Sequence, residues 1–442
     1  MYKKQDFTAR TLKISLAFAW ISIFNSVFDA IMPLIATDSV AVGGLGLDDF
    51  WKGVVMALDN ILGLFLLPIF GILSDKSRSK YGKRTPYILI FAIAAVVLWI
   101  LAGIALGLNS KWMFLILVGS VLALNAMSRP ASLALLPDLT PLSLRRKANA
   151  LTQIVSIIAT VVGIALVELR TLVDYQFIFY IDALLMAVLI VVFIFTVREN
   201  RWRKEYDDLP EAEKGEDSET EVNDFNVNRE HIKRNKIILL AAVFFFYMAF
   251  NGLVSSLSVY ATDVLGLLKG GFTIPQLLCL VAACAAAVPV SKLSKKLQRR
   301  HLLIIGLDIM ILAFIIASTQ RSLTVLMFVS FIMAGIGYSV ALVNLFPYML
   351  ELSDPKEIGK STGIFNTAMT VAMVVTPIAS GALQVALGRL ILFPYCLATL
   401  AIAVVLLFFI KDAKQKPIVA DTQSADTESI SAEAIPEAGN SD

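Results

Sequence analysis

The chain has 442 residues, of which 57% are hydrophobic and 17% charged. A soluble domain carries about 25% charge, so a water-soluble globule is excluded. The net charge is only +3, and the basic residues edge apolar runs without forming a single patch, which argues against a nucleic-acid partner.

The apolar residues arrive in runs of about twenty, the length that crosses a hydrocarbon core of roughly 30 Å as a helix. Twelve spans are predicted, near 12–36, 51–73, 86–107, 112–137, 147–168, 175–197, 236–262, 272–291, 302–319, 323–348, 361–386 and 388–410. The runs are too long and too evenly apolar for barrel strands, so the expected class is an all-α membrane protein. Basic residues alternate from loop to loop. About 31 of the 38 fall on the side that holds the N-terminus, in segments such as Lys76–Arg84, Arg145–Lys147 and Lys292–Arg300. Opposite loops hold about six: Lys52, Lys111, Arg170, Lys269, Arg321 and Arg389. This pattern predicts both termini in the cytoplasm of a multi-pass cell-membrane protein. The first apolar run has full spanning length and no cleavage-like end, so it is read as a membrane span and not as a cleaved leader. Cys279, Cys284 and Cys396 lie within spans and read as small packing residues, not as metal ligands or a disulfide set.

Between the sixth and seventh runs the pattern breaks. Residues 198–235 contain the acidic stretch Glu205–Asp224, as in a solvated linker, and 411–442 read as a disordered tail. The predicted organisation is therefore a six-helix bundle over 1–197, an acidic linker over 198–235, a second six-helix bundle over 236–410, and the tail. Two echoes support a duplicated unit. Leu73-Ser74-Asp75-Lys76 after span 2 is echoed by Leu293-Ser294-Lys295-Lys296 after span 8. Leu136-Pro137-Asp138-Leu139 at the end of span 4 is echoed by Met349-Leu350-Glu351-Leu352 at the end of span 10. Duplicated bundles of this kind hold a substrate between them near the midplane and expose it alternately to each side.

The loop after span 2 carries Gly71, Asp75, Arg78, Gly82, Lys83 and Arg84. A glycine and an aspartate followed by a basic cluster closed by Gly-Lys-Arg resembles the signature loop of the major facilitator superfamily. The resemblance implies a gating loop in which Asp75 faces the positive end of helix 11 near Gly359–Ser361, while Arg78 and Arg84 bridge the two halves. Three further stretches narrow the branch: Asp59-Asn60 with Pro68 and Gly71; Arg129-Pro130 through Asp138 and Pro141 with Arg146 and Asn149; and Gly359 through Gly363 followed by Thr376-Pro377 and Gly381. Together they resemble the bacterial branch of the sucrose-transporter-like proton–disaccharide symporters and the related glycoside–pentoside–hexuronide cation symporters. The implied fold is two pseudo-symmetric six-helix bundles. The implied cargo is a disaccharide or other glycoside. Span 2 holds only one acid, Asp59, and span 4 carries Arg129 where sodium-coupled relatives place acids, so a proton is favoured over sodium as coupling ion.

Ionisable groups deep in a membrane cost several kcal/mol and are functional candidates by default. Asp29, Asp59 and Arg129 are the expected proton-coupling group. At 1.5 Å per residue, Asp29 and Asp59 each lie about 24 Å from the basic end of their helix, and Arg129 about 14 Å from Asp138. Asp182 and Asp308 also lie in spans and are read as less central. Polar stripes run along helices from both halves, and Asn25, Asn60, Asn125, Gln153, Tyr247, Asn251, Asn344 and Asn366 are the candidate substrate contacts. Neutral donors and acceptors with aromatic faces suit a hydroxyl-rich ligand. Many Ser, Thr and Gly positions, Gly103 and Gly107 among them, read equally well as interhelical packing. His231 and His301 fall outside the spans, which leaves a carboxylate as the proton switch. No cofactor or metal is expected, and a monomer is. Two rival readings stand beside proton-coupled sugar symport: proton-driven efflux of an amphipathic drug or lipid, and a non-transporting membrane sensor. An enzyme is disfavoured: Gly337-Tyr338-Ser339-Val340-Ala341 approaches a nucleophile elbow but lacks its closing glycine.

Overall fold

The computed structural model describes residues 4–410 apart from 78, 80, 209–228, 268–270, 272, 295 and 354–356. Arg78, the middle of the acidic linker and the tail therefore lie outside the described residues. Among the described residues, twelve helices are long and apolar enough to cross a membrane. In chain order they are α1 (Lys4–Thr37), α2 (Asp49–Lys76), α3 (Thr85–Gly107), α4 (Lys111–Asp138), α5 (Leu142–Val167) and α6 (Tyr175–Thr196), then α8 (Arg229–Asp263), α9 (Ile274–Leu293), α10 (Arg299–Thr319), α11 (Val325–Glu351), α12 (Ile358–Leu387) and α13 (Leu392–Phe408). The thirteenth, α7 (Glu199–Asp207), is short and polar.

Local chemistry sets several boundaries. The Asp48 side chain caps α2 by accepting from the Trp51 amide, and Thr324 caps α11 through the Met327 amide. Pro86 and Pro275 occupy the first turns of α3 and α9, where no amide hydrogen is needed. Gly388, with φ of 81°, ends α12. The spans nevertheless run past their apolar cores. Helix α1 begins at Lys4, not near residue 12, and α8 begins at Arg229, not near 236.

The segment expected to be a linker is helical at both ends. Residues 199–207 and 229–235 are helical. Helix α7 forms because Trp202 packs into a core with Phe7, Ile14 and Leu139 and Glu199 is buried beside it, while Arg201, Lys204 and Asp207 face outward.

Packing repeats between the halves. In the first, α1 packs on α5 and α6, α2 on α4, and α3 on α4 and α6. In the second, α8 packs on α12 and α13, α9 on α11, and α10 on α11 and α13. These are the same five pairings displaced by six spans, which is what a duplicated bundle requires. The echo of Asp138 by Glu351 has a structural meaning as well. Arg84 donates to Asp138 at 2.9 Å, and in the second half Arg299 donates to Glu351.

Small residues allow the closest approaches. A Cβ at Gly103 or Gly107 would run into Phe179 and Tyr180 or into Gln176, so this pair seats α3 on α6. Trp99 is fully buried between Phe24 and Phe179, with ring centroids 5.0 and 4.4 Å away.

Twelve spans bring the ends of the described chain to one face, termed here the terminal face. The opposite, far face carries the α1–α2, α3–α4 and α5–α6 connections and their counterparts.

Candidate functional site

Asn125 on α4 donates to Asn25 on α1 at 2.7 Å. At 1.5 Å per residue, Asn25 stands about 18 Å above Lys13 and Asn125 about 20 Å above Asp138, so the two sit at one depth, as the bond requires. The helices are antiparallel. Asp29 therefore lies one turn above this bond on α1, and Arg129 one turn below it on α4. The charges of Asp59 and Arg129 both act on Asp29, and Arg129 also acts on Asp59. The three groups are electrostatic neighbours, yet among the described residues no ion pair within 4.0 Å joins them. The Oδ1 of Asn125 is buried without a donor of its own.

Asn25, Asp29, Asp59 and Asn60 are half-buried, while Arg129, Gln153 and Asn366 are exposed. Polar groups this deep would cost several kcal/mol if they faced lipid. Such groups are accommodated where they line a water-filled cleft. On the second-half wall, Tyr247 is buried, and Asn251 donates to the Met373 carbonyl at 3.4 Å, joining α8 to α12. Beside them Tyr338 stacks on Phe250, centroids 4.1 Å apart and rings 11° from parallel. Asn344 is corrected. It is fully buried, donates to the Val340 carbonyl at 2.8 Å, and accepts from Arg299 at 3.5 Å, so it joins α11 to α10 away from the other candidates. Ser15 and Ser26, on the α1 stripe, are packing groups. Ser15 shares a hydrogen bond with Thr152, and Ser26 sits where a Cβ on Gly163 would be.

The loop after α2 is pinned within its own half. Arg84 is 5% exposed and donates to Asp75, to Ser74 at 2.6 Å and to Asp138 at 2.9 Å. Burial opposes its charge, but Asp138 and Asp75 more than offset this and move its pKa above the ordinary guanidinium value. Lys83 pairs with Asp75 at 3.6 Å. Glu199, at the start of α7, accepts from the amides of Lys83, Arg84 and Thr85 at 2.7, 3.0 and 2.8 Å and from the Thr85 hydroxyl at 2.8 Å. Its carboxylate thus sits on the positive end of α3. Gly82 has φ of 122°, and a Cβ there would collide with Glu199, so only glycine fits. Gly71 sets α2 against Pro130 of α4. The expectation that Arg84 bridges the halves is therefore corrected: each of these partners belongs to the first half. No atom outside the helix lies within 4 Å of a Cβ built at Gly359 or Gly363, so Asp75 does not touch these two positions.

The far face is the opposite. A Cβ at Gly53 would strike the Pro377 carbonyl, and one at Gly381 the Asp49 carbonyl, so α2 and α12 touch backbone to backbone. Lys52, 1% exposed, donates to Asp49 at 2.7 Å and across the halves to Gln384 at 3.1 Å. Arg389 donates to Asp49 at 3.0 Å and pairs with Asp263. Gln384 in turn donates to Ser256 at 3.0 Å. A second clasp joins Glu168, after α5, to the amides of Gly271 and Thr273, both at 2.8 Å, and to the Thr273 hydroxyl. Sequence reasoning counted Lys52 and Arg389 only as outer-loop charges. The i, i+3 spacing of Asp49 and Lys52 at the mouth of a span was the available signal.

The family model of the Major Facilitator Superfamily matches residues 14–284 and 272–435. Over 67 residues the chain is 37% identical to the human proton-associated sugar transporter A, a match covering 15% of this chain and 8% of that protein. Over 70 residues it is 34% identical to the sucrose transport protein SUC4 of Arabidopsis thaliana, covering 16% and 13%. The chain thus spans only a small part of the length of these relatives. The fold resembles a bacterial homolog of the human lysosomal transporter Spinster in an inward-facing, occupied conformation, with a TM-score of 0.64, 15% identity, and 93% and 95% of the two chains covered. It also resembles the nucleoside transporter NupG, with a TM-score of 0.62, 14% identity, and 90% and 97% of the two chains covered. Twelve spanning helices in two repeated sets of five pairings, a pinned loop after the second span, and a family match along most of its length place this chain in the Major Facilitator Superfamily of membrane transporters.

Proposed function

We propose that this transporter is a proton-coupled symporter of a sugar, a disaccharide or other glycoside, working by alternating access in the cell membrane with its terminal face in the cytoplasm. The observation that carries the reading is the group formed by Asp29, Asp59 and Arg129 beside the Asn25–Asn125 bond. Two carboxylates and one guanidinium leave a net negative charge in the cleft that a single proton cancels. Binding of that proton at Asp29 or Asp59 removes the excess charge before the cleft closes around cargo, and a closed, uncharged cleft crosses the membrane at lower electrostatic cost. Asn25, Asn60, Asn125 and Gln153 on one wall, and Tyr247, Asn251 and Asn366 on the other, supply neutral hydrogen-bonding groups for hydroxyls. The short matches to sugar transporters support the cargo class. The moving units are the two bundles, 1–197 and 236–410.

The test is uptake of a panel of labelled mono- and disaccharides into proteoliposomes, with and without a protonophore. Concentrative uptake of one sugar that the protonophore abolishes, and that Asp29→Asn or Asp59→Asn uncouples, supports the reading. Full protonophore-sensitive uptake by both variants overturns the coupling assignment. A second reading has its own observation. The stack of Tyr338 on Phe250 gives the second-half wall an aromatic surface suited to an amphipathic drug or lipid, and proton-driven efflux with no sugar uptake would select it.

A further inference from the structure

Helix α10 carries a carboxylate in a place that neither the cleft nor the loops explain. Asp308 is the tenth of its 21 residues, about 14 Å from Arg299 at one end and about 17 Å from Thr319 at the other. That is the middle of the membrane. The buried face of the helix is formed by Leu302, Leu303, Gly306, Met310, Ala313 and Ala317, turned toward α11 and α13. Gly306 lies so close to α11 that a Cβ there would meet Val340 at 2.5 Å. Asp308 is on the other face, exposed, in a stripe with Ile305, Leu312 and Ile315, which are 50%, 50% and 48% exposed. Among the described residues it has no hydrogen bond and no ion pair. The packing partners of α10 belong to its own half, so this stripe looks outward to lipid and not into the cleft.

A lipid-facing carboxylate at this depth costs several kcal/mol. Lysine or arginine escapes by reaching along the helix to the interface, but aspartate has one methylene and cannot span about 14 Å. The group therefore needs a hydrogen-bonding partner at its own depth. The first half makes the contrast explicit. Its counterpart helix α3 has an outward stripe of Ile90, Ile93, Val97, Ile100 and Ile104, all apolar, while Asp182, which meets its middle, is buried and accepts from Trp99 at 2.8 Å.

We propose that the α10 face is the interface of a homodimer, in which Asp308 pairs with Asp308 of a second copy across a two-fold axis along the membrane normal. Copies inserted in the same orientation are related by such an axis, and it places a residue at the same depth as itself. A second copy thus supplies a polar group at the required level automatically. Two protonated carboxyl groups pair across the axis as a neutral acid dimer, each donating its O–H to the other's carbonyl oxygen. Ile305, Leu312 and Ile315 then pack around it and keep lipid and water away from the pair. The interface is independent of which solute is carried.

The full-length protein, labelled once per chain and reconstituted at high dilution in lipid bilayers, tests this by counting photobleaching steps. Wild type is expected to bleach mainly in two steps. Asp308→Leu, which suits a lipid-facing site, should weaken association at least tenfold while leaving transport by the monomer intact. Asp308→Asn, which keeps a donor and an acceptor, should retain the dimer. In a background with the three cysteines replaced by alanine, Ile305→Cys and Leu312→Cys should cross-link on oxidation and Ile93→Cys on α3 should not. Single-step bleaching of wild type, an unchanged dimer in Asp308→Leu, equal cross-linking at Ile93→Cys, or cross-linking of α10 in native membranes to a different protein would each overturn the proposal.

Discussion

The two ends of the seam between the halves are built from opposite materials. At the far face, α2 and α12 meet backbone to backbone, and two polar clasps cross the seam, one centred on Asp49 and Lys52 and the other on Glu168. At the terminal face the charged groups are just as many, but they bind inward. Arg84, Asp75, Asp138, Arg203 and Glu199 form one network confined to the first half and the α7 helix that follows it. Arg299 and Glu351 form a smaller one confined to the second. One end is closed by contacts between halves, and the other is held ready by contacts within them. The far-face latch has a further property. Asp49 and Lys52 share a helix and neutralise each other, and Arg389 and Asp263 do the same in the second half. Separation at this clasp breaks hydrogen bonds but strands neither Asp49 nor Lys52, which distinguishes it from a static buried ion pair.

The largest effect is expected from removing both far-face clasps. Asp49→Asn with Glu168→Gln weakens several charge-assisted hydrogen bonds, each worth about 1.5–3 kcal/mol. The population should shift toward a far-face-open state by two orders of magnitude or more, seen as a longer distance between spin labels at Val42 and Val325. An unchanged distance would mean that backbone contact alone holds this end shut. Single variants of the Asp49–Lys52 pair should differ in sign. Asp49→Asn leaves Lys52 buried without its counter-charge and opens the far face. Lys52→Met leaves Asp49 with Arg389 as its only cation, so that opening strands a charge; the labels should stay close and turnover should slow. Movement in the same direction for both would refute the self-neutral pairing.

At the terminal end the expected effects are on stability instead of conformation. Glu199→Gln replaces a buried carboxylate that serves three amides, a hydroxyl and Arg203. It should cost about 2–3 kcal/mol, read as a lower Tm, with the Val42–Val325 distance unchanged. Glu205 is the smallest case. Burial disfavours its charge slightly, but hydrogen bonds from Arg10 and Arg201 hold its carboxyl below the ordinary value of 4.5. Because its pKa is depressed in the folded state, its contribution is complete above that value and disappears as pH falls further through the folded pKa. Glu205→Gln should therefore change stability by no more than about 0.5 kcal/mol at neutral pH, an effect measurable by thermal unfolding and absent in strong acid.

Much of this architecture was legible from residue order. Apolar run lengths located the twelve spans, and the match of Asp138 with Glu351 pointed to the repeat. These features are local, or repeat at a fixed offset, and periodicity reports them. Other features depend on partners far along the chain. Lys52 and Gln384 are 332 residues apart, and Glu168 and Thr273 are 105 apart. Nothing near either residue announces the other. Asn344 misled because an asparagine on a helix stripe looks the same facing a ligand or a neighbouring helix, and Arg299 decided which. Helix α7 was hidden by its charge, although Trp202 in so polar a segment was the sign that one face was buried. Of the candidate substrate contacts, Asn25 and Asn125 were each legible as polar positions within a span, but only the structure shows that they meet.

The self-neutral character of the latch also fixes how far its attraction reaches. Two neutral ion pairs interact as dipoles, and the force between them dies away far faster than that between opposite single charges. The halves are not drawn together across the open cleft. They feel the latch only in the last few ångströms, when Lys52 can reach Gln384 and Arg389 can reach Asp49. Engagement of this clasp should then be insensitive to ionic strength, because its two neutral pairs leave no long-range field for salt to screen.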